Sequence, residues 1–209
     1  MLYLNITESL HVCNVLVRAG LDAHGTLHVR SMLESLTHMK LLRNPFHLKQ
    51  MRFDEIDGDL KTCKKLLLDP HLTDCVVEEL KARIEEFTPE QVALKVQGCK
   101  RRVIADDIIE AELSFLAPMY SQLNSVAHWD LGALTDHYCN EDGSLMAFAK
   151  TRAGLTFGTL FLGIQMMVMA TKEVEEVARF SEGAYELQFS KMNKAWGMFL
   201  DATEGRFPE

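Results

Sequence analysis

The chain has 209 residues, 47% of them apolar and 25% charged, the ordinary balance of a globular protein and not of a disordered or fibrous one. Its formal charge of -8 sets the surface as a whole against phosphate backbones, so nucleic acid is not expected as a partner. The five cysteines (Cys13, Cys63, Cys75, Cys99, Cys139) are odd in number and never form a Cys-x-x-Cys pair, which excludes a disulfide framework or zinc ribbon and suits reduced thiols in the cytoplasm.

In chain order, spacings of three and four recur, and sustained strand alternation is absent. The expectation is an all-α fold: a single bundle of about seven helices in one domain covering residues 1–209. The segment Met1 to Leu10 lacks a basic run and does not resemble a signal peptide. A first helix covers about Thr7 to Ala19, and Gly20 ends it. A second begins after Asp22, its N-cap, and reaches about Arg43, where Asn44-Pro45 stops it. Pro45 opens a third, to about Leu68, with Asp57-Gly58 as a place where it could break.

Thr73 then caps a short helix to about Phe87. Thr88-Pro89-Glu90-Gln91 reads as a fresh N-terminus, with Thr88 as cap and Gln91 in the capping-box position, and its helix reaches about Leu113. The basic run Lys100-Arg101-Arg102 falls within it and is expected on a solvated helix face, compensated by Asp106, Asp107 and Glu110. Pro118 starts a helix to about Tyr138, and Asn140-Glu141-Asp142-Gly143 is a turn.

Ser144 opens the next helix, which includes the uncharged stretch Ala153 to Thr171. That stretch has about the length of a membrane span. Its glycines, threonines and Gln165 favour instead the central helix of a bundle, apolar because neighbours surround it. A last helix, about Lys172 to Ala202, carries Val174, Val177, Ser181, Tyr185, Gln188, Met192, Trp196 and Phe199 as a stripe for packing or for a homodimer. No linker or repeat divides the chain.

The second helix holds the most informative polar residues. At about 100° per residue, Val29, Met32, Leu33, Leu36 and Met39 share a core face. Arg30, Glu34 and His38 recur every four residues on roughly the opposite side, among Leu27 and Leu41. An arginine and a carboxylate one turn apart can orient each other and present a fixed guanidinium to an anion, or they can be a plain structural ion pair. His24 and His28 share the four-residue spacing of a zinc helix, but without a His-Glu-x-x-His signature they read as surface histidines, so neither metal nor other cofactor is expected. On the helix after Pro118, Tyr120, Asn124 and Tyr138 lie near one line with His128 at its edge, where an imidazole can serve as general acid or base or be a satisfied residue at the core margin. No phosphate-binding glycine loop, calcium loop or nucleophile elbow is present.

The run Ala23-His24-Gly25-Thr26-Leu27-His28-Val29-Arg30-Ser31-Met32-Leu33-Glu34, with Tyr120-Ser121-Gln122-Leu123-Asn124-Ser125-Val126-Ala127-His128, resembles an uncharacterised bacterial all-helical family. Its members show Leu-x-Arg-x-x-x-Glu early and Tyr-x-x-Leu-Ser-x-x-x-His later. Asn124 stands here where that pattern has serine. The resemblance implies that Arg30, Glu34 and His128 converge, and it implies no activity. Arg18 and His24 have the spacing of the Arg-x4-6-His motif of helical ribonuclease toxins, although Gly20 and Asp22 place them across a turn.

These residues support a non-catalytic domain that binds a small anionic ligand or protein partner through Arg30, Glu34, His38, Tyr120, Asn124 and His128. The alternative is a metal-independent ribonuclease of a defence or toxin system, with His128 as general base, Arg30 stabilising phosphate charge and Glu34 completing the catalytic set.

Overall fold

The computed structural model describes residues 1–127, 131–140, 142–145, 153–177 and 186–203. The described residues are all-α, with the helices α1 (Leu2–Arg18), α2 (Asp22–Leu41), α3 (Pro45–Leu66), α4 (Asp74–Val96), α5 (Ile104–Glu110), α6 (Ala117–Ala127), α7 (Leu131–Tyr138), α8 (Ala153–Val177) and α9 (Glu186–Thr203). A 3-10 turn at Ser114–Leu116 precedes α6, and one isolated bridge joins Cys139 and Leu145 across the turn that carries Gly143. The chain falls into two compact units, one formed by Met1–Lys40 and Ile108–Glu209, the other by Leu41–Asp107.

The first unit is built on α1, α2 and α8. Ile6 and Cys13 of α1, Val29, Met32, Leu33 and Leu36 of α2, and Met166 and Ala170 of α8 are buried. Two glycines let the helices approach closely. A Cβ on Gly25 would lie 3.0 Å from Thr159 Cγ2, and one on Gly163 would lie 3.0 Å from Leu10 Cδ1. Polar ties fix the register: Asn5 Nδ2 donates to Ser35 Oγ at 2.7 Å, Thr156 Oγ1 donates to Asp22 Oδ2 at 2.8 Å, and Lys40 Nζ lies 3.7 Å from Glu173 Oε2. The helix α8 packs along α1 and also meets α9, but Phe157, Leu160, Phe161, Ile164 and Val168 are only half-buried, so the expected surrounding of this helix by neighbours is not seen among the described residues. Among the described residues no helix is long and apolar enough to cross a membrane; α8 carries three glycines, and Lys172, Glu173 and Glu176 enter its last turns.

The second unit is centred on α3 packed against α4. Phe53, Ile56, Leu60, Leu94 and Cys99 form its core, with Ile84 and Phe87 against it. Asn44 caps α3 through Oδ1, which accepts from Phe46 N at 3.0 Å, and Pro45 takes the first turn as expected. Asp57-Gly58 does not break α3.

The expected helix start at Thr88 is corrected, since α4 runs through Pro89 without interruption. Proline there removes one backbone bond, and the contacts on either side of it override that loss. Arg52 of α3 grips Glu90 with two bonds of 2.9 and 2.8 Å, Gln91 Nε2 donates to Asp57 Oδ1 at 2.8 Å, and Phe87 lies between the Arg52 and Arg83 guanidinium groups, each 5.5 Å from its ring centre. Nor does this helix continue to Leu113. It ends at Val96, where Gly98 adopts φ +96° and the Cys99 and Gly98 amides bond back to the carbonyls of Leu94 and Lys95. The Lys100-Arg101-Arg102 run therefore lies in the connection between α4 and α5, not on a helix face, and Arg102 pairs with Asp107 at 2.5 Å.

Gly20 ends α1 as expected, with φ +72° and the Leu21 amide bonded to Leu16 O at 2.8 Å. Lys172 does not start a new helix, because α8 extends to Val177. The expected helix start at Ser144 is not seen; Ser144 caps the preceding turn by donating to Asp142 Oδ1, and α8 begins at Ala153. Ser181, Tyr185 and the side chains of Gln188, Met192, Trp196 and Phe199 lie outside what is described.

Candidate functional site

The polar residues of α2 that the periodicity sets apart from the core face do stand apart from it. Val29, Met32, Leu33, Leu36 and Met39 are buried, whereas Arg30, Glu34 and His38 are half-buried. Arg30 Nε donates to Glu34 Oε1 at 2.9 Å, a direct result of the four-residue spacing. The same oxygen accepts from Tyr120 OH of α6 at 3.1 Å, and the Arg30 guanidinium carbon stands 5.7 Å from the centre of the Tyr120 ring. Arg30, Glu34 and Tyr120 thus form one cluster within the first unit.

Two opposing effects act on the Arg30 charge. Burial disfavours it, and the hydrogen bond and charge of Glu34 more than compensate, so its pKa is raised. Burial likewise raises the Tyr120 phenol, and the Glu34 charge adds to the shift, so the tyrosine stays a neutral donor. The guanidinium is bound at Nε and lies against an aromatic ring, yet no second carboxylate among the described residues pairs with its Nη groups. A guanidinium so held keeps an edge suited to a planar anion.

Asn124 follows Tyr120 by one turn of α6, and its Oδ1 is buried without a hydrogen-bond partner. His38 follows Glu34 by one turn of α2 and is half-buried. His128, the proposed general base, lies outside the described residues. His24 and His28 are half-buried, and burial lowers the pKa of His28. Among the described residues no three histidine, cysteine or carboxylate side chains are grouped so as to hold a metal ion.

No sequence motif marks a cavity of about 240 Å3 in the same unit, between Thr26 of α2, residues Met119 to Val126 of α6 and residues Gly154 to Leu162 of α8. Its sequence signal is faint: glycines 154 and 158, one turn apart in an apolar helix, indicate close approach but not to what. A comparison with family models, curated proteins and solved structures finds no match for the chain.

Proposed function

We propose that the chain is a non-catalytic helical module that binds a small anionic ligand through Arg30, where α2 meets α6. The observation that carries this reading is the Arg30 guanidinium, held at Nε by Glu34 and backed by the Tyr120 ring, with no second carboxylate among the described residues on its Nη edge. A group ordered before the ligand arrives loses less freedom on binding. The unpartnered Asn124 Oδ1 adds a requirement. Leaving such an acceptor buried costs about 1–3 kcal/mol, which a donor on the ligand recovers. A carboxylate or phosphate that also carries a hydroxyl or amine fits both features. His38 and His128 belong to the proposal as further contacts, as does the convergence of Arg30, Glu34 and His128 that the family resemblance implies.

The reading includes a cytoplasmic setting, supported by five unpaired cysteines, a bacterial one, which the family resemblance implies, and pairing of two copies through α9, supported by exposed Leu187 and Met198. Sedimentation velocity of the wild type against Leu187→Glu tests the pairing.

Calorimetric titration with hydroxy acids, amino acids and sugar phosphates tests the ligand site. A binder found in that panel should lose about 100-fold affinity with Arg30→Ala and somewhat less with Arg30→Lys, whose point charge cannot make the paired contact. Equal affinity in Arg30→Ala would sink the reading. Growth arrest of a bacterial host on expression, abolished by His128→Ala, would replace it with the ribonuclease.

A further inference from the structure

The cavity of the first unit differs in character from the Arg30 cluster. Among the described residues no charged side chain lines it, and Leu123, Val126 and Leu162 supply apolar wall. Gly154 and Gly158 occupy the α8 side, and a Cβ built on either meets nothing within 4 Å. Gly25 and Gly163 serve to bring helices together, but these two do not. Gly154 lies in the first turn of α8 and Gly158 one turn further in, where glycine weakens a helix, so a Gly158 that packs against no described residue calls for another account. What they provide is open space beside bare backbone.

A second observation points the same way. Thr37, Thr62, Thr88 and Thr171 each donate their hydroxyl to the carbonyl four residues earlier, the usual outlet for a threonine in a helix. Thr159, in the cavity wall and 3% exposed, does not; its Oγ1 is buried with no partner. Its methyl lies over Gly25. The neighbouring Thr26 hydroxyl is already used, donating to Ala23 O at 2.7 Å. One hydroxyl is left to be answered from within the cavity.

We infer that this cavity is a binding site for a small neutral molecule made of a ring and one hydrogen-bonding group, with the ring against the Gly154–Gly158 backbone and the polar group on Thr159. Size supports a ring, since a cavity of about 150 Å3 already takes benzene. A neutral molecule fits better than an ion, which would meet no counter-charge among the described lining residues. Arg30 does not line the cavity, so this site and the anion site stand or fall separately.

Titration of the 15N-labelled full chain with p-cresol, and with toluene as its counterpart lacking the hydroxyl, tests the inference. Saturable shifts of the Gly154 and Gly158 amides are expected with both. Thr159→Val should weaken p-cresol about ten-fold and leave toluene unchanged. Gly158→Leu fills the space and should abolish both while keeping the helical circular dichroism and the Tm, and Arg30→Ala should change neither. Absence of saturable shifts up to the solubility limit overturns the site. Equal p-cresol affinity in Thr159→Val overturns the role of the hydroxyl and leaves it to a bound water.

Discussion

Glu34 Oε1 accepts from Arg30 Nε and from Tyr120 OH, so one oxygen joins α2 to α6. Glu34→Ala strands a tyrosine hydroxyl on a side chain only 8% exposed, and we expect a loss of about 1–3 kcal/mol in urea unfolding. Glu34→Gln, which keeps an acceptor, should lose less. The thiols divide as sharply. Burial pushes Cys13 up to about 11, and its Sγ donates to Gly25 O at 3.2 Å, whereas Cys75 is exposed. At pH 7 maleimide should label Cys75 in the native protein and reach Cys13, Cys63 and Cys99 only in denaturant, as peptide mapping would show. Spacing alone foretold the Arg30–Glu34 pair. It placed Tyr120 only on a candidate face of its helix, because the contact to Glu34 spans 86 positions of chain and depends on how two helices pack.

At the level of elements, α4 shows how packing overrides a local signal. Thr88-Pro89 reads as a helix start, and Thr88 Oγ1 instead donates back to Ile84 O within an unbroken helix. Pro89→Ala restores the missing bond at an exposed position, and equilibrium unfolding should show a gain on the order of 2–3 kcal/mol. The end of α5 carries the opposite kind of cost. Glu112 sits at φ +59°, with the Leu113 amide bonded to Ile108 O at 2.9 Å, the closure that glycine usually makes. Glu112→Gly should therefore stabilise by about 0.5–1 kcal/mol in the same measurement. Gly20 was readable as a terminator because it follows an apolar periodic run. Gly98 was not, because the capping pattern at Thr88 suggested a helix continuing past it.

For the molecule as a whole, stability should fall toward acid in two stages. Burial holds His28 below its usual pKa of 6.5, so below that pH the unfolded chain binds a proton that the folded chain resists, and stability drops as pH falls. His28→Gln should flatten the decline of Tm as the pH falls below about 6.5. In the second unit Asp57, bonded to Lys61, and Glu90, gripped by Arg52, are held below the usual carboxylate range. Their contribution is present above about pH 4.5 and is lost as the pH falls further, through their folded-state values. The division into two units left no trace in composition, since both of its boundaries fall inside a helix, at residues 40–41 and 107–108.

The sequence by itself determined the all-α class, the core face of α2, the end of α1 and the pairing of Arg30 with Glu34. Each follows from order within a few turns of one helix, where a period of about 3.6 residues places neighbours directly. Tertiary structure alone decided the passage of α4 through Pro89, the arrival of Tyr120 at Glu34, and the cavity in which Thr159 keeps an unanswered hydroxyl. Those features depend on distances between helices remote in sequence, set by how side chains of particular size interlock, and no local pattern encodes them.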